Sequence, residues 1–214
     1  VRRRKKKGSD EKLISYTDYV IKDDIEKLKN NWNLKFNNQN PIHVEFGTGR
    51  GKFITTLAKQ NPDINYIAME IKEEVLLKAV EKANDANLNN ILFVWGNVNN
   101  ILDYFGEGEI DRVYVNFCDP WPKKRWSKRR LTHKNFLNKY KEILNQNGEI
   151  HFKTDNQDLF EFSLNEIASN NWLLKNISLD LAKNNDIENV TTEYEDKFMS
   201  QGMKIYRCEA SKRD

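Results

Sequence analysis

Two rhythms of apolar residues run along this chain. From position 42 onward, short blocks of Ile, Val, Phe and Tyr alternate with longer stretches in which apolar residues return every three or four positions. The short blocks read as strands buried on both faces, and the longer stretches as amphipathic helices packed against them. Strands are expected at 42–46 (IHVEF), 65–70 (NYIAME), 91–95 (ILFVW), 112–118 (RVYVNFC) and 149–153 (EIHFK). Helices fit 51–60, 72–86, 98–104 and 132–145. A further helix fits 157–169, where Leu159, Phe160, Phe162, Leu164 and Ile167 are spaced for one buried face. A strand at 172–179, a short helix at 191–199 and a last strand at 203–209 complete the order. Such alternation is what a doubly wound, mostly parallel α/β sheet requires. Upstream, the spacing over 16–32 suggests one or two short helices, and 37–41 is a loop. The chain is expected to be a single domain: a flexible basic arm at 1–12, a helical segment at 13–36 and a core at 41–209.

Length fits this picture, since 214 residues can bury one sizeable core. The chain opens on Val1 and not on a methionine, which suggests trimming or a boundary set in its preparation. No apolar run approaches the ~20 residues of a membrane span, and none has the flanks of a signal peptide. Cys118 and Cys208 are far apart and read as free thiols in a reducing, cytoplasmic setting. His43, His133 and His151 are isolated from one another, so no metal site is expected. Net charge is only +3, but the basic residues cluster in "VRRRKKK" at the start and "KKRWSKRR" at 123–130. Solvated runs are the simpler reading of either alone. Two of them on a nearly neutral protein point to a polyanion, because clustered cations neutralise phosphates and release counterions.

The first expected strand runs into "EFGTGRGKF", a glycine turn opening a helix. Three glycines, Gly47, Gly49 and Gly51, permit tight backbone turns and close approach of a ligand. A dinucleotide fingerprint would need glycine at position 52, where Lys52 stands. Glu45 lies two residues ahead of Gly47, where it would repel a pyrophosphate. A cofactor with a cationic, amine-bearing head suits that acid better, and S-adenosylmethionine is one. Glu70, ending the second strand, is placed for ribose hydroxyls, and Asn97, after the third, for an adenine edge. Each has a structural reading as well: a plain βα turn, a helix-capping acid and an ordinary turn residue.

"NFCDPWP" closes the fourth strand. Pro120 and Pro122 restrict the backbone around Trp121 and hold the Asp119 carboxylate in place. A rigid turn with a capping Asp is the alternative. The basic run follows at once, so a strand-end carboxylate and a polyanion tether are adjacent in sequence. Cys118 reads as a small core residue and not as a nucleophile. "HFKTDN" should raise Asp155 at the end of the fifth strand, on the same rim as Asp119, where its carboxylate can accept hydrogen bonds. Glu193 and Glu195 offer similar acceptors or simply suit an acidic helix start.

With "VEFGTGRGKF", "NFCDPWPKKRWSKRRL", "IHFKTDN" and "TTEYEDKF", the chain resembles the bacterial tRNA (guanine-N7)-methyltransferases from about Pro41 to Cys208. The resemblance implies a Rossmann-like sheet with an antiparallel C-terminal strand, helices on both faces, and S-adenosylmethionine as cofactor. It implies that Glu45, Glu70, Asn97 and Asp119 contact the cofactor and that Asp119 is also catalytic. Lys123, Asp155, Thr192, Glu193, Tyr194 and Glu195 would contact substrate, and Arg125, Trp126, Ser127, Lys128, Arg129 and Arg130 would touch tRNA. The opening segment departs from the family, since "VRRRKKKGSDEKL" lacks the usual aromatic. A monomer or homodimer is expected. Guanine N7 carries a lone pair and no proton, so the expected reaction is direct in-line displacement without a general base. Two rivals remain at this stage: an amino-group methyltransferase, for which "DPWP" is a near miss, and a non-catalytic RNA-binding protein.

Overall fold

The computed structural model describes residues 8–183 and 189–213. Most of the expected basic arm, residues 1–7, lies outside them. The chain forms two compact units, divided between Phe105 and Gly106.

The first unit contains α1 (Ser9–Ile14), β1 (Val20–Ile21), α2 (Trp32–Phe36), β2 (Ile42–Phe46), α3 (Lys52–Gln60), β3 (Asn65–Glu70), α4 (Glu73–Asp85), β4 (Ile91–Trp95) and α5 (Ile101–Tyr104). Its strands lie in the order β1-β4-β3-β2, and every pair is parallel. All five residues of β2 and the first five of β3 are buried. Continuous burial is what a parallel strand covered on both faces shows, although His43, Glu45 and Asn65 interrupt the apolar run. α4 turns Leu76, Leu77, Ala79, Val80 and Ala83 inward. Each fully buried Leu or Val of this kind contributes about 1.5–3 kcal/mol.

The second unit contains β5 (Ile110–Asn116), α6 (Lys134–Ile143), β6 (Leu144–Thr154), α7 (Gln157–Ser169), β7 (Trp172–Ser178), α8 (Glu193–Met199) and β8 (Tyr206–Lys212). β5 and β6 are parallel, whereas β8 runs antiparallel to both β6 and β7, as expected of the C-terminal strand. Phe152 and Phe160 are fully buried and stack at 6.2 Å, which seats α7 on β6.

The structure departs from the sequence reading where the backbone turns left-handed. Residues 16–32 hold β1 and a short 3₁₀ turn at Ile25–Leu28 instead of regular α-helix, with Asp24 at φ 57° and Asn30 at φ 63° interrupting them. β5 stops at Asn116, two residues before the expected end, because Phe117 has φ 50° and no strand continues through that conformation. The helix expected over 98–104 is split into a 3₁₀ turn at Val98–Asn100 and α5. β6 begins earlier, at Leu144. β8 begins later, because Met203 N–H still bonds the Phe198 carbonyl and closes the end of α8. At the amino end, Ser9–Ile14 is helical and packs on α4, with Lys12 Nζ 2.7 Å from Glu81.

Candidate active site

The strand ends of the first unit carry one set of candidate residues. Gly47 (φ 80°), Gly49 (φ 59°) and Gly51 (φ 82°) all take conformations that cost other residues strain. Their surroundings separate their roles. A Cβ on Gly51 would come within 2.4 Å of Ala79 Cβ, so that glycine lets α3 and α4 approach. A Cβ on Gly47 or Gly49 would meet no protein atom within 4 Å, so those two leave open space in front of the loop. Glu45 is buried, and its carboxylate accepts a hydrogen bond from the Thr48 hydroxyl at 2.6 Å. Buried carboxylates require compensation by donors or cations.

Glu70 does two things at once. Its Oε1 accepts from the N–H groups of Ile71 (2.9 Å) and Lys72 (3.1 Å), and its Oε2 from Gly49 N–H at 3.3 Å. Those two N–H groups lead into α4 and do not belong to its first turn, so the acid shapes the approach to the helix, and it also ties the glycine loop to the end of β3. A carboxylate has about four acceptor positions, so capacity for a further donor remains. Asn97 uses its side-chain oxygen to cap the turn that follows, accepting from Asn99 N–H at 2.9 Å. Ile71, which the sequence reading passed over, is 57% exposed beside Glu70. Open glycine backbone, a buried acid and an exposed apolar side chain next to a strand-end acid together fit an amine-bearing nucleoside such as S-adenosylmethionine.

The second unit carries the other set. Asp119 is exposed, three residues past β5. Phe117 at φ 50° and Trp121 at φ 43° flank it, two bulky residues in a region such side chains rarely adopt. Phe117 N–H bonds the Lys153 carbonyl at 2.9 Å, which fixes the start of the turn. Cys118 is not a candidate nucleophile, since burial pushes its thiol up to about 12.

The basic run forms a 3₁₀ turn at Lys124–Arg129 with aromatics between its cations. Trp121 and Trp126 meet edge to face at 5.9 Å. Arg129 lies 4.8 Å from the Trp121 ring centroid, and Lys123 and Arg125 lie 5.0 and 5.2 Å from that of Trp126. Lys123, Arg125, Lys128 and Arg129 are exposed, and Ser127 and Trp126 are half-buried. Arg130 breaks the pattern. It is buried, and its guanidinium donates to the carbonyls of Pro120 and Trp121. The expectation that all of 125–130 touches tRNA meets a different setting at this residue, because two of its five N–H groups already bond backbone carbonyls.

Two of the expected substrate contacts also turn inward. The Thr192 hydroxyl accepts from Glu195 N–H at 2.9 Å, and Glu195 reaches back to Thr192 N–H at 3.3 Å, a reciprocal cap on α8. Glu195 is fully buried and pairs with Lys153 Nζ at 2.7 Å. Their side chains hold the segment in place instead of presenting acceptors to a substrate. Exposed Tyr194 donates its hydroxyl to Asp155 at 3.1 Å and lies 5.0 Å from the Phe117 ring. Glu193 is half-buried at the start of α8. Elsewhere on the β5–β6–β8–β7 strands, Glu149, His151 and Glu209 bring three ligand-type atoms within 4.8 Å of one another. Arg112 pairs with Glu149 at 3.1 Å, Lys175 approaches Glu149 at 3.6 Å and Arg207 pairs with Glu209, so that cluster already has its cations. No helix among the described residues is long and apolar enough to cross a membrane.

Comparison with known proteins agrees with this arrangement. A family model described as "Putative methyltransferase" matches residues 39–208. A tRNA (guanine-N(7)-)-methyltransferase of Clostridioides difficile is 76% identical over 214 residues, the whole of both chains. A protein of the same name from Streptococcus pneumoniae is 50% identical over 98% of this chain and 99% of its own. Among solved structures, the 16S rRNA methyltransferase KamB aligns with a TM-score of 0.61 at 14% identity, over 99% of this chain and 96% of that one. A SAM-dependent methyltransferase from Aquifex aeolicus aligns with a TM-score of 0.56 at 15% identity, over 87% and 88%. At such identities these two speak for the Rossmann-like fold alone. With full-length relatives at half to three-quarters identity, the chain belongs to the tRNA (guanine-N7)-methyltransferase family.

Proposed function

We propose that this chain transfers a methyl group from S-adenosylmethionine to the N7 atom of a guanine in tRNA, and that the guanine lies in the variable loop. The observation that carries this reading is the 76% identity to a curated relative of that activity over the entire length of both chains. S-Adenosylmethionine supplies an electrophilic methyl group on a positively charged sulfur. Glu45 and the open backbone at Gly47 and Gly49 suit its cationic amino-acid end. Glu70, Ile71 and Asn97 suit ribose and purine: an acceptor for hydroxyls, an apolar surface and an amide.

N7 of guanine has its lone pair free at neutral pH, so the protein need not remove a proton. As the carbon–nitrogen bond forms and the carbon–sulfur bond breaks, positive charge moves onto the purine. Asp119 is the residue proposed to face that charge. Its support is a turn whose backbone is held on both sides, which gives the fixed orientation that electrostatic stabilisation requires, and an exposed carboxylate that a bound base would cover. Asp155 and Tyr194, joined by their hydrogen bond, offer an acceptor and a ring for the base. The exposed cations of the basic run, with Trp121 and Trp126 among them, suit phosphates and unstacked bases. Cytoplasmic residence, among tRNA, follows from the same proposal, as a monomer or homodimer.

Incubating total tRNA with labelled cofactor, followed by nucleoside analysis, tests the reaction: label is expected in 7-methylguanosine. A tRNA carrying 7-deazaguanosine at the target keeps the Watson–Crick edge and loses the lone pair, so it should bind and remain unmethylated. Methylation of that substrate would assign an exocyclic amino group instead. A protein that bound tRNA but no cofactor would return to the non-catalytic reading.

A further inference from the structure

Arg130 ends the basic run, yet it is only 9% exposed. Its Nε–H donates to the Pro120 carbonyl at 2.9 Å, and a terminal N–H donates to the Trp121 carbonyl at 3.1 Å. Its guanidinium carbon lies 4.3 Å from the ring centroid of Phe162, on α7. His133 also packs on Phe162, with ring centroids 6.4 Å apart and planes 14° from parallel. The guanidinium thus lies on a ring and holds two successive carbonyls with two of its five N–H groups. Those carbonyls belong to the turn that presents Asp119, between left-handed Phe117 and Trp121. Such conformations persist only where surrounding structure over-determines them.

We infer that Arg130 is a positioning residue for Asp119, not a phosphate contact. It fixes the 120–121 peptides and through them the direction of the carboxylate. Lysine would not replace it, because an ammonium has no planar fork to span two carbonyls and no flat face to lie on Phe162. This inference rests on the reading of Asp119 as the catalytic carboxylate.

The test compares Arg130→Lys, Phe162→Ala, Asp119→Asn, the double variant Asp119→Asn/Arg130→Lys, and exposed Arg129→Ala. At saturating tRNA and cofactor, Arg130→Lys is expected to lose about tenfold or more in kcat. Its KM for tRNA and its log–log salt slope of tRNA binding should match the unsubstituted enzyme, whereas Arg129→Ala should flatten that slope by about one unit. Phe162→Ala, which removes no charge, should lose kcat in the same direction, and it carries the test alone if the Arg130 variants do not fold. The double variant should be no slower than Asp119→Asn, because a group acting through Asp119 has nothing left to act through. Three results would overturn the inference: a flattened salt slope with unchanged kcat in Arg130→Lys, unchanged kcat in both Arg130→Lys and Phe162→Ala, or losses that multiply in the double variant. Full activity in Asp119→Asn would instead refute the Asp119 reading itself, so the two failures are distinguishable.

Discussion

Replacing Lys153 by Met should release α8 from the end of β6 while leaving the sheet intact. Lys153 and Glu195 are 4% and 0% exposed. The ammonium has three donors, and its partners are Glu195 Oε2 at 2.7 Å, the Val190 carbonyl at 2.9 Å and Asn189 Oδ1 at 3.1 Å. Asn189 in turn donates to Glu195 Oε1 at 2.6 Å. The network is closed, so removing the lysine strands a buried carboxylate. Breaking such a pair costs about 3–5 kcal/mol, or roughly two to three and a half powers of ten in the equilibrium between docked and released segment. Little opposes release, because Glu195 is the only residue of α8 that is buried. The aromatic contact of Tyr194 with Phe117 contributes about 0.5–1.5 kcal/mol, well below the penalty. Hydrogen exchange measures the outcome: amides of 195–199 should exchange on the order of a hundredfold faster, and those of Ile150 and Phe152 at an unchanged rate. Methyl transfer should fall as well, since Tyr194 would leave Asp155. Adding Glu195→Gln should restore much of the protection by removing the stranded charge. Protection of α8 within threefold of the original in Lys153→Met would refute the argument.

Gly51→Ala should destabilise the first unit by about 1–3 kcal/mol from overlap with Ala79 and about 1–2 kcal/mol from its left-handed backbone, read by denaturant unfolding. Gly47→Ala meets no protein atom, so calorimetry should find its main effect on cofactor affinity and not on stability. Glu149 is held down to about 2, first by its hydrogen bond with His151, so between pH 4.5 and about 2 the folded state binds fewer protons than the unfolded one. Its contribution is complete above pH 4.5 and lost as pH falls through that window; Glu149→Gln should flatten acid unfolding there. Cys118 and Cys208, both pushed up to about 12 by burial, should resist alkylation at pH 8, where roughly one thiol in ten thousand is ionised.

The parts of the fold that the sequence announced are those whose burial is uniform. β2, β3 and β4 begin and end where the sequence places them, because β-branched and aromatic residues dominate each block even where His43, Glu45 and Asn65 are buried among them. The sequence overextends β5 because Phe117 and Cys118 look like strand residues, and nothing in residue type reveals a phenylalanine at φ 50°. β8 was set three residues early, since "MKIYRC" is apolar enough to pair, while the turn that closes α8 consumes Met203. The candidate acids at the strand ends were found for a related reason: Glu45, Glu70 and Asp119 stand where an apolar run stops, and a carboxylate there is conspicuous.

Roles inside a motif were harder to read, because they depend on which way each side chain turns. All five side chains of "TTEYE" can accept hydrogen bonds from a substrate, but Thr192 and Glu195 satisfy each other and Lys153, and the exposed aromatic between them is the one that reaches Asp155. Arg129 and Arg130 are the sharpest case. They are adjacent and chemically identical, yet the first lies exposed over Trp121 and the second is buried against Phe162 with two carbonyls on its donors. Phe162 is 32 positions away in sequence and belongs to a helix whose own periodicity gives no hint of a cation. Charge density alone therefore points to a surface for a polyanion, and on the inference drawn for Arg130 it overcounts the contacts. The count is corrected by asking which cation has a carbonyl partner and an aromatic plate before any ligand arrives, because a guanidinium already supplied with both gains little from a phosphate and would leave two carbonyls unpaired to reach one.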